Sequence, residues 1–380
     1  KSSGVKVSSL QLALRNLMRS KKKTAITLLS LSLSIVLLTM TVTFSNGFDM
    51  DKYLSDLAVD YIVADSDYFE VSRHWENDKG LTDDVIKTMQ QIDGISDFGR
   101  VYGLNTGVSE YVPEAYYRAF FGRWNDAATV DQMIQGAKRD SAGNINNYAQ
   151  LYGMDQFLMD QLTVIDGDLS KLNDPSGRYV AAVYSLDDYG HVMADSHWAK
   201  IGDQITLTYG EDRDSIYEVA ATVQVPHAIG YRYYGIDEFI LSSEVFLKDT
   251  RTSDVMYVAF DADDASKAKI DQFLNEVTAN DFSSLNYESK KTQEDAFRSF
   301  QKMYLTIGSL VSFIIGLIGI LNFINATITS IVARKHEFAL MQAIGMTGKQ
   351  LKAMLISEGL LYTVGSVLFV GIIVVLTSPL

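Results

Sequence analysis

Cysteine is absent from all 380 residues. That excludes disulfides, a thiol nucleophile and any cysteine-based metal site, so an exported part of this chain must hold its fold by packing alone. Charge is missing locally as well. No charged residue lies between Lys23 and Asp49, between Lys302 and Arg334, or after Glu358. A helix rises about 1.5 Å per residue, so about 20 apolar residues cross a hydrocarbon core about 30 Å thick. These gaps predict transmembrane helices at 24–44, 304–329 and 355–377, because a buried helix of a globular protein normally keeps a charged face.

Acidic residues are absent from residues 1–48, which carry seven lysines and arginines, whereas residues 49–301 hold 21 basic and 45 acidic residues and residues 302–380 hold five and two. The net charge of -14 hides that partition. Basic residues beside a span stay on the cytoplasmic side, which puts residues 1–23 and the 333–354 segment inside and residues 49–301 outside. Segment 1–23 begins with Lys and reads as a basic amphipathic lead-in rather than a signal peptide, and the chain is expected to lack its natural start.

Catalytic signatures are also missing. The nearest approach to a phosphate-binding loop, AIGMTGKQ (343–350), has Ala343 for the first glycine and Gln350 for the hydroxyl that would hold Mg²⁺, and there is no G-x-S-x-G or H-E-x-x-H. His191 and His197 flank Asp195 without an obvious third ligand, so they read as surface histidines and not a metal site. The acidic stretch 261–267 lacks the glycine and distal glutamate of a calcium loop and reads as a helix cap. No catalytic residue, cofactor or metal is expected in this chain.

What is present is an outer region of mixed α/β pattern. A strand at 60–69, a helix at 81–95 behind a Thr82 cap (Val85, Ile86, Met89 and Ile92 on one face) and a strand at 98–108 form one unit. A strand at 254–262 and a helix at 264–277, with Ile270, Phe273, Leu274 and Val277 on one face, form a second. Alternating runs between them, such as 178–185, 203–210 and 217–226, read as strands. The predicted fold is a membrane protein of α-helical spans with a large extracytoplasmic α+β domain. Its α/β lobe is split between 49–109 and 251–285, a β-rich insertion occupies 110–250, and a stalk at 286–303 runs into the second span.

Gly308, Ser312 and Gly316 recur every four residues and are expected to form a helix-packing face. Asn322 and Asn325 lie on the inner half of that span, where polar side chains are costly unless they pair or face protein. Between the second and third spans, Phe338, Met341 and Ile344 stack at helical spacing beside Leu340 and Ala343, among Arg334, Lys335, Glu337 and Gln342. Gly345 is placed to end that helix, and Thr347 with Gln350 has the spacing of a capping box that starts the next. Such a short amphipathic helix suits a headgroup surface, a plain loop or a groove on a partner protein.

The run ARKHEFALMQAIGMTGKQLKAMLISEGLLY (333–362) resembles the signature of FtsX-like and MacB-like ABC transporter permeases, of the mechanotransmission type. The matches are Arg334, Glu337, Ala343-Ile344-Gly345 and Glu358-Gly359-Leu360. LALRNLMRSKKKTAITLLSLSLSIVLL (12–38) is similar to that family's lead-in to its first span, and residues 177–223 resemble its outer domain. The resemblance implies a permease subunit that couples ATP hydrolysis by a separate cytoplasmic ATPase, which holds the ATP and Mg, to movement of the external domain. It implies ATPase-coupling residues Arg334, Glu337, Phe338, Met341, Ala343, Ile344 and Gly345, with 15–23 as part of an elbow at the inner surface. Expected partners are that ATPase, a second permease copy or half, membrane lipid and an external peptide, lipoprotein or cell-wall hydrolase; nucleic acid is not expected. The expected location is the bacterial plasma membrane, with multiple passes. The family's unit has four spans and three are visible, so this chain is expected to be one part of a longer, duplicated permease. The alternative is a transmembrane sensor, for which a short third-span connection leaves little room for a signalling output.

Overall fold

The computed structural model describes residues 9–19, 21–47, 49–50, 54, 57–69, 81–104, 107–187, 189–210, 213–226, 229, 237–280 and 282–377. It divides into two compact units, one formed by Lys1–Met50 and Asp295–Leu380 and the other by Asp51–Glu294.

The first unit is helical. Helix α1 (Ser9–Arg19) precedes α2 (Lys21–Asn46). Helix α9 (Lys290–Ala333) is 44 residues long, and α10 (Lys335–Ala343) and α11 (Gly348–Thr377) follow it. Among the described residues, three helices are long and apolar enough to cross a membrane, over Thr24–Asn46, Lys290–Ala333 and Gly348–Val375. Their apolar side chains are largely exposed, with Phe313, Leu321 and Leu368 each more than 60% accessible. Such a surface fits a lipid solvent, in which van der Waals packing, small residues and interhelical hydrogen bonds hold helices together.

Those contacts are present. The Ser34 Oγ of α2 donates to the Ser312 carbonyl oxygen of α9 at 2.7 Å, and Ser312 is buried. Gln301 Nε2 donates to the Ser45 carbonyl oxygen at 2.6 Å, satisfying an acceptor in the last turn of α2. A Cβ on Gly316 would lie 2.8 Å from Ser34 Oγ, and one on Gly308 would meet the Thr41 side chain. Gly319 lets α9 approach the backbone of α2, since a Cβ there would fall 2.9 Å from the Ser30 carbonyl oxygen. It lies three residues beyond Gly316, and the four-residue spacing passes over it. Asn322 and Asn325 are exposed on this single chain.

The second unit contains one hydrogen-bonded sheet of eleven strands. Strand β1 (Tyr61–Asp65), helix α3 (Asp83–Gln90) and strand β2 (Ile95–Leu104) form the first strand-helix-strand half. Strand β10 (Val255–Ala262), helix α8 (Asp264–Ala279) and strand β11 (Leu285–Ser289) form the second. The order β11-β1-β10-β2, with each neighbouring pair antiparallel, is that of a ferredoxin-like split βαβ sheet. Thr82 caps α3 by accepting from the Val85 amide, and Val85, Ile86 and Met89 are buried on its inner face with Ile270, Leu274 and Val277 of α8.

Between the halves the chain builds β3 (Val108–Val112), α4 (Glu114–Phe121), α5 (Ala127–Gly136), β4 (Ile145–Met154), α6 (Gln156–Met159), β5 (Thr163–Gly167), β6 (Tyr179–Val183), β7 (Gln204–Tyr209), β8 (Arg213–Gln224), β9 (Asp237–Ser242) and α7 (Ser243–Thr250). The pairings β4–β3, β3–β7, β7–β8, β8–β6, β6–β9 and β9–β4 close a ring of six strands. Closure removes sheet edges that would otherwise expose unpaired amides. The second half of β4 also pairs with β2, from Val101↔Met154 to Leu104↔Leu151, so the ring continues the split sheet.

Two expectations need correction. Asp263 occupies the N-cap position of α8, yet its side chain makes no capping hydrogen bond. Lys267, one turn into that helix, instead holds Asp264 at 2.8 Å and Asp60 at 3.0 Å. His197 is not a surface residue: it is 2% exposed, stacked on Tyr184 and edge-on to Phe239. His191 is exposed and hydrogen-bonded to Asp187, and among the described residues no cluster of three metal-ligating side chains occurs.

Candidate functional site

Helix α9 ends because Arg334 leaves helical geometry, with φ -102° and ψ 12°. Helix α10 lasts nine residues. Gly345 stops it with φ 106°, a left-handed conformation that a Cβ would strain; the Gly345 amide donates to Gln342 and the Met346 amide to Met341. The Thr347 amide then donates to Gln350 Oε1 at 2.8 Å while the Gln350 amide donates to Thr347 Oγ1 at 3.3 Å, a reciprocal capping box that starts α11. A helix, a sharp turn and a re-entering helix thus follow from three local signals: Arg334, Gly345 and Thr347.

One side of α10 is held to its own unit. Arg334 Nη1 donates to Glu358 Oε1 of α11 at 3.0 Å, with the two side chains only 15% and 14% exposed. Arg334 Nε also approaches Glu337 Oε2 at 3.5 Å, and the guanidinium lies over the Phe338 ring at 4.8 Å. Phe338 is 7% exposed. Glu337 reaches the end of α1, where Arg19 Nη1 donates to its Oε1 at 2.9 Å. The inward residues Arg334, Glu337, Phe338 and Met341 follow the i, i+3, i+4, i+7 pattern of one helix face.

The opposite side is open. Ile344 is 86% and Leu340 67% exposed, and Ala339, Ala343, Gly345, Lys335 and His336 are exposed with them. The seven residues singled out from sequence are therefore divided. Arg334, Glu337, Phe338 and Met341 turn inward or toward α1, whereas Ala343, Ile344 and Gly345 face out. Leu340 belongs with the outward group, and its i, i+4 spacing to Ile344 was the signal for it. Gly308, Ser312 and Gly316 lie along α9 and face α2.

Helix α1 contributes to the same end of the unit. Its Ala13 is completely buried, it packs against α11, and Thr24 Oγ1 at the start of α2 donates to the Leu17 carbonyl oxygen at 3.0 Å.

Residues 309–380 match the family described as FtsX-like permease C-terminal. The chain is also similar to the periplasmic region of MacB from Actinobacillus actinomycetemcomitans, at 12% identity and a TM-score of 0.38, covering 64% of this chain and 95% of that one. It is similar to the extracellular domain of the noncanonical ABC-type transporter YknZ from Gram-positive bacteria, at 14% identity and a TM-score of 0.31, covering 61% and 99%. A domain of a permease protein from Porphyromonas gingivalis gives 12% identity and a TM-score of 0.29, covering 60% and 86%. No curated protein sequence matches. The family match covers residues 309–380, from within α9 through α11.

Proposed function

We propose that this chain is the membrane subunit through which a separate cytoplasmic ATPase, itself holding ATP and Mg, moves the extracytoplasmic unit to export, extract or mechanically actuate an external target. The observation that carries this reading is the two-sidedness of α10. An exposed apolar edge (Leu340, Ala343, Ile344) backed by a buried Arg334–Glu358 pair is a rigid handle, suited to receive force from a partner groove. An interfacial lipid-binding helix would need no ion-pair anchor behind it.

The length of α9 supports the outward half of the path. It starts immediately after β11, and its Lys290 Nζ holds Asp60 at 2.9 Å while the Lys290 amide donates to the Asp60 carbonyl oxygen at 3.3 Å. Ser289 and Thr292 exchange capping hydrogen bonds at 2.8 and 3.1 Å across its first turn. The start of α9 is thus tied to the sheet, and this reading gives that helix the outward displacement. In this reading residues 49–301 lie outside a bacterial plasma membrane crossed more than once, residues 15–23 form the elbow at its inner surface, and a second permease copy or half completes the assembly.

Co-purification with the ATPase tests the proposal. Leu340→Asp and Ile344→Asp change exposed positions, so protein stability should shift by less than about 0.5 kcal/mol. Loss of ATPase association and of stimulated ATP hydrolysis is the expected result. Retention of both in the double variant would remove the handle from the mechanism.

A further inference from the structure

The ring of strands in the extracytoplasmic unit contains two carboxyl groups that membrane coupling does not use. Glu110 is the centre of β3 and Asp237 the first residue of β9, and these strands flank β4 on its two edges, in the registers Glu110↔Asn147 and Asp237↔Ala149. Glu110 is fully buried and Asp237 is 2% exposed. The Trp198 Nε1–H donates to Glu110 Oε2 at 2.7 Å, and the Tyr116 hydroxyl donates to Asp237 Oδ1 at 2.6 Å. The second oxygen of each group, Glu110 Oε1 and Asp237 Oδ2, is buried and has no donor among the described residues. Asp237 nonetheless acts on Glu110 as a charged, hydrogen-bonding neighbour.

A buried oxygen without a donor is costly, and two buried anions in contact are more so. No three-ligand cluster for a metal occurs among the described residues. Among the described residues, other groups around the pair do not neutralise it. His197 is buried; its Nδ1 accepts from the Ala199 amide at 3.1 Å, which leaves the proton of the neutral ring on Nε2, and burial disfavours the imidazolium. Glu238 and Tyr184 add acidic groups, and Tyr116 is spent as a donor. Arg123 is held by Asp195 at 2.5 Å. One proton shared between the two carboxyls, with Glu110 donating and Asp237 accepting, reduces the pair's charge from two to one.

We propose that Glu110 and Asp237 share a single buried proton, and that this carboxyl–carboxylate bond is a latch joining β3 to β9 across β4, opened by deprotonation. Burial, and then the charge of Asp237, hold Glu110 well above the ordinary carboxylate range, in keeping with that arrangement. Because the folded-state value is raised, the latch's contribution is complete below the ordinary carboxylate range and is lost as pH rises toward the raised value. One proton bound in the folded state but not in the unfolded state changes the folding equilibrium tenfold per pH unit across that window. The ring thus loosens on the alkaline side, and so would any external target surface built upon it.

Infrared spectroscopy of the full-length protein in detergent or lipid discs tests this directly, because only a protonated carboxyl shows the carbonyl stretch of a carboxylic acid. The expected result is such a band at neutral pH in the native protein and also in Glu238→Gln, which removes the neighbouring acid's own band; in the Glu238→Gln background it disappears when Glu110→Gln is added and is changed when Asp237→Asn is added. In the Glu238→Gln background, hydrogen exchange of the β3 and β9 amides, corrected for intrinsic rate, should accelerate up to tenfold per pH unit and should remain flat when Glu110→Gln is added. No band in the native protein at neutral pH, which needs no variant to fold, overturns the proposal. A band unchanged by Glu110→Gln in the Glu238→Gln background does the same.

Discussion

Replacing Arg334 with alanine should free α10 from its unit while leaving the helix itself nearly intact. Arg334 and Glu358 meet at 3.0 Å with 15% and 14% of their side chains exposed, so most of both charges is out of water. At that separation an effective dielectric of about 20 gives a Coulomb attraction of about 5 kcal/mol, much of which offsets desolvation. Removing one member of a buried pair costs about 3–5 kcal/mol because the other charge loses its counter-ion. The guanidinium also sits over Phe338 at 4.8 Å, worth about 0.5–1 kcal/mol, but the remaining exposure of both partners favours the lower end. We expect about 3 kcal/mol, read as a roughly hundredfold acceleration of hydrogen exchange at the α10 amides, since about 1.4 kcal/mol is a factor of ten. Glu358→Gln alone should cost less, and Arg334→Ala with Glu358→Gln should cost less than the two summed, by about 2 kcal/mol of coupling. Strict additivity to within about 0.5 kcal/mol would show that the pair does not anchor the helix, and the rigid-handle reasoning would fail with it.

Gly319→Val places a branched side chain where a Cβ already lies 2.9 Å from the Ser30 backbone oxygen; overpacking of about 1–3 kcal/mol should appear as a lower melting temperature in detergent, whereas Gly371→Val, at a position with open space, should not change it. Thr347→Ala removes the reciprocal cap of α11 and should cost about 1 kcal/mol, visible as faster exchange in the first turn of that helix. Burial, and secondarily the charge of Asp237, push Glu238 up to about 8. The raised value makes its contribution complete below the ordinary carboxylate range and progressively lost up to about pH 8, so Glu238→Gln should flatten the fall in thermal stability over that window; an unchanged slope would refute the assignment.

The spans and the turn were legible because their causes are local. Uncharged runs of 20 or more residues need no tertiary information, and Thr82, Gly345 and Thr347 act on amides within four residues of themselves. Closure of the six-stranded ring was not legible, since it depends on β4 meeting β9 in parallel from more than 80 residues away. The Glu110–Asp237 contact depends on that closure and was hidden for the same reason, while Gly319 was overlooked because one spacing was followed where the contact with α2 uses two.

The orientation of α10 is the more instructive case. Phe338, Leu340, Met341 and Ile344 spread apolar side chains around most of its circumference, so periodicity alone does not say which side turns in. A reading by hydrophobicity would send the charged residues outward. In the structure Arg334 and Glu337 lie on the inward face with Phe338 and Met341, because Glu358 of α11 and Arg19 of α1 wait there as partners. Leu340 and Ile344 are left exposed by that choice, although burying them would have gained more from the hydrophobic effect alone. The inner face of this helix is thus fixed by two ion pairs with residues 24 and 318 positions away, and the apolar residues left outside are the ones available to a partner.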